Sequence, residues 1–263
     1  MSGVIALLTD FGHKDPFAGI MKGVILARCP WARVVDLCHG VPPQDVRAGA
    51  LRLMAAVPYF PKGTLFVCVV DPGVGSERAI LWARGARGQF LAPDNGLLSW
   101  ASRVEPLREV RRVANARLFL DEVSRTFHGR DIFAPVAAAL ACGVPPSELG
   151  PRRRKLVRLP FPEARRRGGR VRGEVIAFDG FGNAVTNLRP ADLRPNVSLE
   201  ACGLALGPLR RAYASVPSGG PLALVGSYGF VELSVRDGNF AAKYRVQVGE
   251  PVFALRRSSV ANP

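Results

Sequence analysis

Hydrophobic positions along the first 150 residues fall into two alternating textures. Short runs rich in Val, Ile and Leu at 4–9, 34–37, 64–70, 79–83 and 89–92 predict strands, and helical periods at 17–27 and 46–57 predict helices between them. The almost uniformly apolar stretch 132–142 predicts a buried helix. Such alternation argues a sheet, mostly parallel, with helices on its faces. Further on the texture changes: 172–178, 185–188, 198–204, 222–225, 230–235 and 244–255 are short runs separated by Gly, Pro and Asn. Many short strands without a helical period predict a small all-β unit, a barrel by preference. The expected organisation is therefore an α/β domain at 1–155, a basic linker at 156–170 and a β-barrel domain at 171–257.

Charge changes this picture in one place. The 263 residues carry a net charge of +15, of which +9 lies in residues 151–173, where nine arginines and one lysine face a single glutamate. Two Arg triplets, 152–154 and 165–167, flank a Pro-containing stretch, which reads as a solvated linker. A phosphate-binding patch is the competing reading. No nucleic-acid motif accompanies it, and Phe161 is the only aromatic residue in the stretch, so a nucleic-acid partner is not expected.

The five cysteines (Cys29, Cys38, Cys68, Cys142 and Cys202) contain no C-x-x-C pair, which fits a reducing cytoplasm rather than a disulfide or zinc scaffold. The richest apolar segment is too short to span a bilayer, so no membrane partner is expected. His13, His39 and His128 are isolated from one another, and no catalytic metal is expected.

Candidate chemistry sits where apolar runs end, because open α/β sheets bind ligands beyond the carboxyl ends of their strands. Asp10, Asp71 and Asp94 each follow a predicted strand, in TDFG, VVDPGVGSER and APDNGLL. Neither DPGVGSER nor FDGFGNAVTN completes a dinucleotide fingerprint, and no P-loop or nucleophile-elbow serine is present. His128, in TFHGRDIF, precedes a predicted helix. Asp10, Phe127, Phe181 and Asn183, with the turn at 226–229, supply the groups a nucleoside site needs: a carboxylate for the ribose, flat apolar faces and amides.

TDFG with the following D-x-x-x-x-I-M-K-G, VVDPGVGSER, APDNGLL, TFHGRDIFAP, FDGFGNAVTN and GSYGFVEL, in that order over residues 9–233, resemble the S-adenosylmethionine hydroxide adenosyltransferases, hydrolases related to the fluorinase and chlorinase. The resemblance implies hydrolysis of S-adenosyl-L-methionine to adenosine and methionine, with no cofactor beyond the substrate. It also implies a homotrimer with active sites between the N-terminal domain of one subunit and the C-terminal domain of its neighbour.

Carried over motif by motif, the hydrolase triad falls on Asp71, Arg78 and His128, and the ribose carboxylate on Asp10. Asp15 and Asp179 would lie near the methionine ammonium and Ser227 near its carboxylate. Asn183, Glu232 and the backbone of Val235 would hold the adenine edge, with Phe127 and Phe181 as walls. Tyr228 stands where the fluorinase has an arginine. A sulfonium is already a good leaving group, so the chemical task is to present a water oxygen in line with the C5′–S bond and take its proton. Asp71 and His128 are expected to share that work while Arg78 fixes the Asp71 carboxylate.

The fluorinase carries Tyr and Thr in the segment matching DPGVGSER and Ser where Gly129 stands, and an ionised Asp71 would repel a halide. Hydrolysis is therefore favoured over halogenation. A non-catalytic protein that binds adenosine or S-adenosylmethionine is the alternative from another class.

Overall fold

The structure, a computed structural model, describes residues 3–194 and 197–256. The chain divides into two compact units, Met1–Pro160 and Phe161–Pro263.

The first unit begins with β1 (Val4–Thr9), α1 (Phe17–Arg28), β2 (Arg33–Cys38), α2 (Val46–Ala56) and β3 (Leu65–Val69), then adds β4 (Ile80–Arg84), β5 (Gln89–Pro93) and β6 (Glu109–Arg112), with α3 (Ala134–Ala141) near its end. The sheet order is β2-β1-β3-β5-β4-β6. β2, β1, β3 and β5 pair in parallel, while β4 pairs antiparallel with both β5 and β6. β6 was not anticipated, because its sequence, Glu-Val-Arg-Arg, is that of a half-exposed edge rather than a buried strand.

Alternate residues of the central strands point to opposite faces. Ile5, Leu7, Val67 and Val69 join Met21 and Ile25 of α1 and Val136, Ala137 and Leu140 of α3 in one core. α2 packs elsewhere, and its Gly49 sits so close to Val70 and Leu97 that a Cβ would lie 3.1 and 2.9 Å from their side chains. The helix expected at 132–142 begins earlier, with a first turn of another type. Residues Gly129–Phe133 form a wider π-type turn that runs into α3.

The second unit holds β7 (Arg165–Arg167), β8 (Arg170–Phe178), β9 (Ala184–Thr186), β10 (Val197–Ala201), β11 (Leu204–Gly207), β12 (Pro221–Val225) and β13 (Val231–Val235), followed by α4 (Phe240–Tyr244) and β14 (Pro251–Arg256). They form one antiparallel sheet in the order β11-β10-β14-β8-β9-β13-β12, with β7 on β8. The sheet curls until its ends approach: Arg210, just past β11, bridges to Leu224 of β12. Inward residues such as Val175, Leu199, Leu233, Phe240 and Val252 fill the interior.

Three expectations about this unit need correction. Residues 165–167, placed in a linker, form β7, because Gly168 (φ 54°) and Gly169 (φ 78°) make the two-residue hairpin turn that joins it to β8. The run 198–204 is two strands, turned at Cys202 (φ 55°) and Gly203 (φ 72°). The run 244–255 is not one strand: its start ends α4, a short helix capped by the Asn239 side chain on the Ala242 N–H.

Candidate active site

β1 and β3 are adjacent, and from them the chain winds outward in opposite directions, to β2 on one side and to β5 on the other. This is the topological switch point, where open α/β sheets bind ligands. Thr9 and Val69 are partners in the β1–β3 register, so Asp10 and Asp71 leave the sheet from the same end of neighbouring strands. Asp94 leaves the parallel strand β5 at that edge as well, but it serves structure. Its carboxylate accepts from Arg153 Nε at 3.0 Å and from the Val157 N–H at 2.9 Å, tying down the segment that follows Gly150.

Asp71 opens a tight turn in which the Ser76 N–H and hydroxyl both bond to the Gly73 carbonyl, and the turn returns Arg78 to Asp71. Arg78 Nε lies 3.0 and 2.8 Å from the two carboxylate oxygens and Nη2 lies 2.5 Å from Oδ2. The carboxylate is 4% exposed and the Arg78 side chain 11%. Arg78 Nη2 also lies 2.7 Å from His128 Nδ1. Residues 50 positions apart therefore meet in a linear cluster, carboxylate to guanidinium to imidazole.

Two local features bring His128 there. Gly75 (φ 78°) passes so close to the Arg125 carbonyl that a Cβ would lie 2.3 Å from it, which pins the Asp71 turn to the His128 loop. The π-type turn after His128 then carries the chain into α3, an arrangement common beside functional residues. Asp131, fully buried in that turn, accepts from the Ser124 N–H and from its neighbour Arg130. Burial pulls the Asp131 carboxyl upward, but these hydrogen bonds outweigh it and hold it below its ordinary range.

The His128 geometry determines its tautomer. A guanidinium has no lone pair to offer, so Nδ1 must accept from Arg78 and the ring proton resides on Nε2. The same neutral form is favoured electrostatically. Burial lowers the His128 pKa and the Arg78 charge lowers it further, against smaller opposing pulls from Asp71, Asp131 and the Ser124 backbone. A neutral His128 with Nδ1 engaged by Arg78 presents Nε2–H as a donor.

The remaining candidates of the first unit are near this edge. Asp10 is half-buried, with Oδ2 accepting from the Gln44 N–H at 2.8 Å. Asp15 is exposed in the loop before α1. Phe127 packs edge-on against Phe11 and Phe17, with ring centroids 5.9 and 5.1 Å away. Among the described residues no group of three or more His, Cys, Asp or Glu side chains is gathered to hold a metal ion.

In the second unit Asp179 closes its own loop. Oδ1 accepts from the Phe181 and Asn183 N–H groups and Oδ2 from the Asn183 side-chain amide, each at 2.9 Å. This leaves Phe181 projecting, 79% exposed. Ser227 and Tyr228 lie in the turn joining β12 to β13, which is closed by the Gly226 N–H on the Phe230 carbonyl. Glu232, 5% exposed, accepts from Tyr213 Oη at 2.7 Å and Ser234 Oγ at 2.9 Å. Gly226 leaves its other oxygen room, since a Cβ there would lie 2.3 Å from Oε2. Val235 is buried and its carbonyl takes the Gly238 N–H at 3.2 Å. Tyr213 was not anticipated: it lies 19 residues before Glu232, in a loop with no distinguishing pattern.

A doubly wound unit with an arginine-held carboxylate and a neutral histidine at its switch point, followed by a curled antiparallel β unit, defines a two-domain α/β-plus-β class. The chain belongs to the SAM hydroxide adenosyltransferase family, whose N-terminal domain matches residues 5–150 and whose C-terminal domain matches residues 173–253. It is similar to the (R)-S-adenosyl-L-methionine hydrolase of Thermus thermophilus, 40% identical with 95% of this chain and 99% of that protein covered. It is more distantly similar to a fluorinase of an Actinoplanes species, 28% identical over 94% of this chain and 95% of that one. Among solved structures, a conserved protein from Thermotoga maritima superposes with a TM-score of 0.88 at 34% identity, covering 96% of this chain and 100% of its own.

Proposed function

We propose that the protein hydrolyses S-adenosyl-L-methionine at C5′, giving adenosine and L-methionine, and that the (R)-sulfonium epimer named for its relatives is the form it takes. The observation that carries this reading is the Asp71, Arg78 and His128 cluster at the switch point. One water O–C5′ bond forms as the C5′–S bond breaks, and sulfur keeps the electron pair as the methionine thioether. His128 Nε2–H holds the water oxygen, and Asp71, the anion of the cluster, receives the proton and passes it to solvent. Arg78 keeps the carboxylate aimed and the imidazole in its neutral tautomer. No general acid and no metal or cofactor is assigned a step.

Asp10 would take the ribose diol. Asp15 and Asp179 would face the ammonium, Ser227 and Tyr228 the carboxylate, and Asn183, Glu232 and the Val235 backbone the adenine, between Phe127 and Phe181. These assignments rest on the family resemblance, as do a cytoplasmic location and a homotrimer with interfacial active sites. Halogenation is disfavoured by Gly129. A Cβ there would lie 3.1 Å from both Met21 Sδ and the Phe127 ring and 3.3 Å from Phe11, an apolar corner with no place for a halide-binding hydroxyl.

The test is incubation of the purified protein with each sulfonium epimer, with and without chloride and chelator, and chromatography of the products. Adenosine and methionine from the (R)-epimer, insensitive to chelator, are expected. 5′-Chloroadenosine, or tight adenosine binding without turnover, would overturn the proposal in favour of a halogenase or a sensor. Light scattering tests the trimer.

A further inference from the structure

A second polar chain runs beneath the loop that carries Asp10, joining Thr9 and Lys22 to Asp36 and His39, two residues that no motif above includes. His39 is buried, and its Nδ1 lies 2.8 Å from the hydroxyl of Thr9, itself fully buried. His39 Nε2 lies 2.9 Å from Asp36 Oδ1, and Asp36 Oδ2 accepts from Lys22 Nζ at 2.6 Å. The Thr9 oxygen also accepts the Phe11 N–H at 3.3 Å.

The Asp36 carboxylate can only accept, so His39 Nε2 carries a proton and donates to it. Nδ1 and the Thr9 hydroxyl share the second bond, and the Thr9 oxygen takes the Phe11 N–H. Burial pulls the Asp36 carboxyl upward, but the Lys22 and His39 bonds outweigh it and keep the group ionised.

The arrangement depends on an irregularity of β2. In a regular strand, residues 36 and 39 point to opposite faces. Here Leu7 pairs with Asp36 while Leu8 pairs with Cys38, so Leu37 is an extra residue, and the bulge turns His39 back to Asp36. The loop after β1 is held at successive positions as a result. The Phe11 N–H is fixed through Thr9, the Gly12 N–H bonds to the His39 carbonyl at 2.8 Å, and the His13 ring stands edge-on to His39 at 5.5 Å. Asp10 lies between these tethers, with its own carboxylate turned to the Gln44 N–H.

The geometry points to Thr9 and His39 as positioning residues that set the direction of the Asp10 carboxylate before any ligand arrives. The inference rests on the proposed function only for its kinetic readout. Thr9→Val is isosteric and removes the hydroxyl, whereas Thr9→Ser keeps it. Thr9→Val is expected to raise KM for S-adenosylmethionine roughly tenfold, the scale on which hydrogen-bond partners behind a binding group act. Its kcat should stay within about threefold and Thr9→Ser should restore the wild-type KM, a split that loss of stability alone does not produce.

Hydrogen exchange of the backbone amides at 10–12, 44 and 45, measured without substrate, should quicken in Thr9→Val and not in Thr9→Ser. His39→Asn, which can place an acceptor near the Nδ1 position, should behave like Thr9→Ser, and His39→Leu like Thr9→Val. Unchanged exchange in Thr9→Val and His39→Leu, or equal KM across the set, would overturn the inference. Failure of the wild-type protein to form adenosine would instead sink the proposed reaction, and exchange would still decide the role of Thr9 and His39.

Discussion

Asp71 in the first unit and Glu232 in the second are both buried carboxylates held by several donors, but the donors differ in kind. Asp71 is held by the guanidinium of Arg78, which also engages His128. Glu232 is held by two hydroxyls, from Tyr213 and Ser234. A guanidinium neutralises the carboxylate, fixes both oxygens and cannot take a proton itself, which suits a group that must be aimed at a reacting water. Two hydroxyls leave the negative charge unbalanced, which suits a group meant to attract N–H donors such as an adenine amine. On this reading, damage to the first unit's cluster appears in kcat and damage to the second's in KM.

The largest expected effect comes from Asp71→Asn, which keeps the shape and removes the proton acceptor. Its kcat should fall by about 10² to 10⁴, the usual worth of a positioned base, with KM changed only a few-fold in steady-state assays. A rise in KM at constant kcat would put Asp71 in the same category as Glu232 and erase the contrast.

Gly75→Ala is expected to follow. The residue has φ 78° and its Cβ would meet the Arg125 carbonyl, so the turn must shift at a cost of roughly 1–3 kcal/mol in strain. Thermal melting should register that loss. Because the shift separates Asp71 from the His128 loop, kcat should fall as well, whereas a destabilised protein with full kcat would show that the close approach serves packing alone.

Tyr213→Phe tests the other side of the comparison. It removes one hydrogen bond from Glu232, worth about 0.5–1.5 kcal/mol, so KM or the affinity for adenosine should weaken by roughly two- to tenfold with kcat unaltered. Glu232 and burial both raise the Tyr213 pKa, burial most. A kcat loss in this variant would mean that the second unit takes part in the chemical step.

The subtlest effect concerns protons. His128 has a folded-state pKa below its ordinary value, so its neutral form persists further into acid than a free imidazole and activity should hold until the pH falls below that range. Protonation at Nδ1 would then break the bond to Arg78 and set two cations together. Since the unfolded chain binds this proton more readily, His128 contributes stability that is present above the unfolded pKa and is lost as pH falls from there through the lower folded pKa. An NMR titration should place its midpoint below that of an unperturbed histidine, and Arg78→Met should raise it. A wild-type midpoint at or above the ordinary value would contradict the assigned tautomer.

Much of this could be read from sequence where a residue's surroundings follow from its neighbours in the chain. The apolar run 4–9 is β1 as printed in its composition, and Asp10 and Asp71 were recognisable because each follows such a run. What escaped has a common cause in pairing between distant segments. β6 and β7 are strands only because β4 and β8 offer them an edge, against their own charged sequences. The meeting of Asp71, Arg78 and His128 was legible only through resemblance, since 50 residues separate the last two. His39 was read as one of three isolated histidines: the bulge at Leu37 that joins it to Asp36 leaves no mark in the order of the residues.

The central claim is that this site directs water to C5′ of a sulfonium nucleoside, and it is tested most directly by a single turnover of S-adenosyl-L-methionine in water enriched in oxygen-18. The account predicts one heavy oxygen in the 5′-hydroxyl of adenosine and none in methionine. Unlabelled adenosine, label in methionine, or no cleavage at all would contradict it.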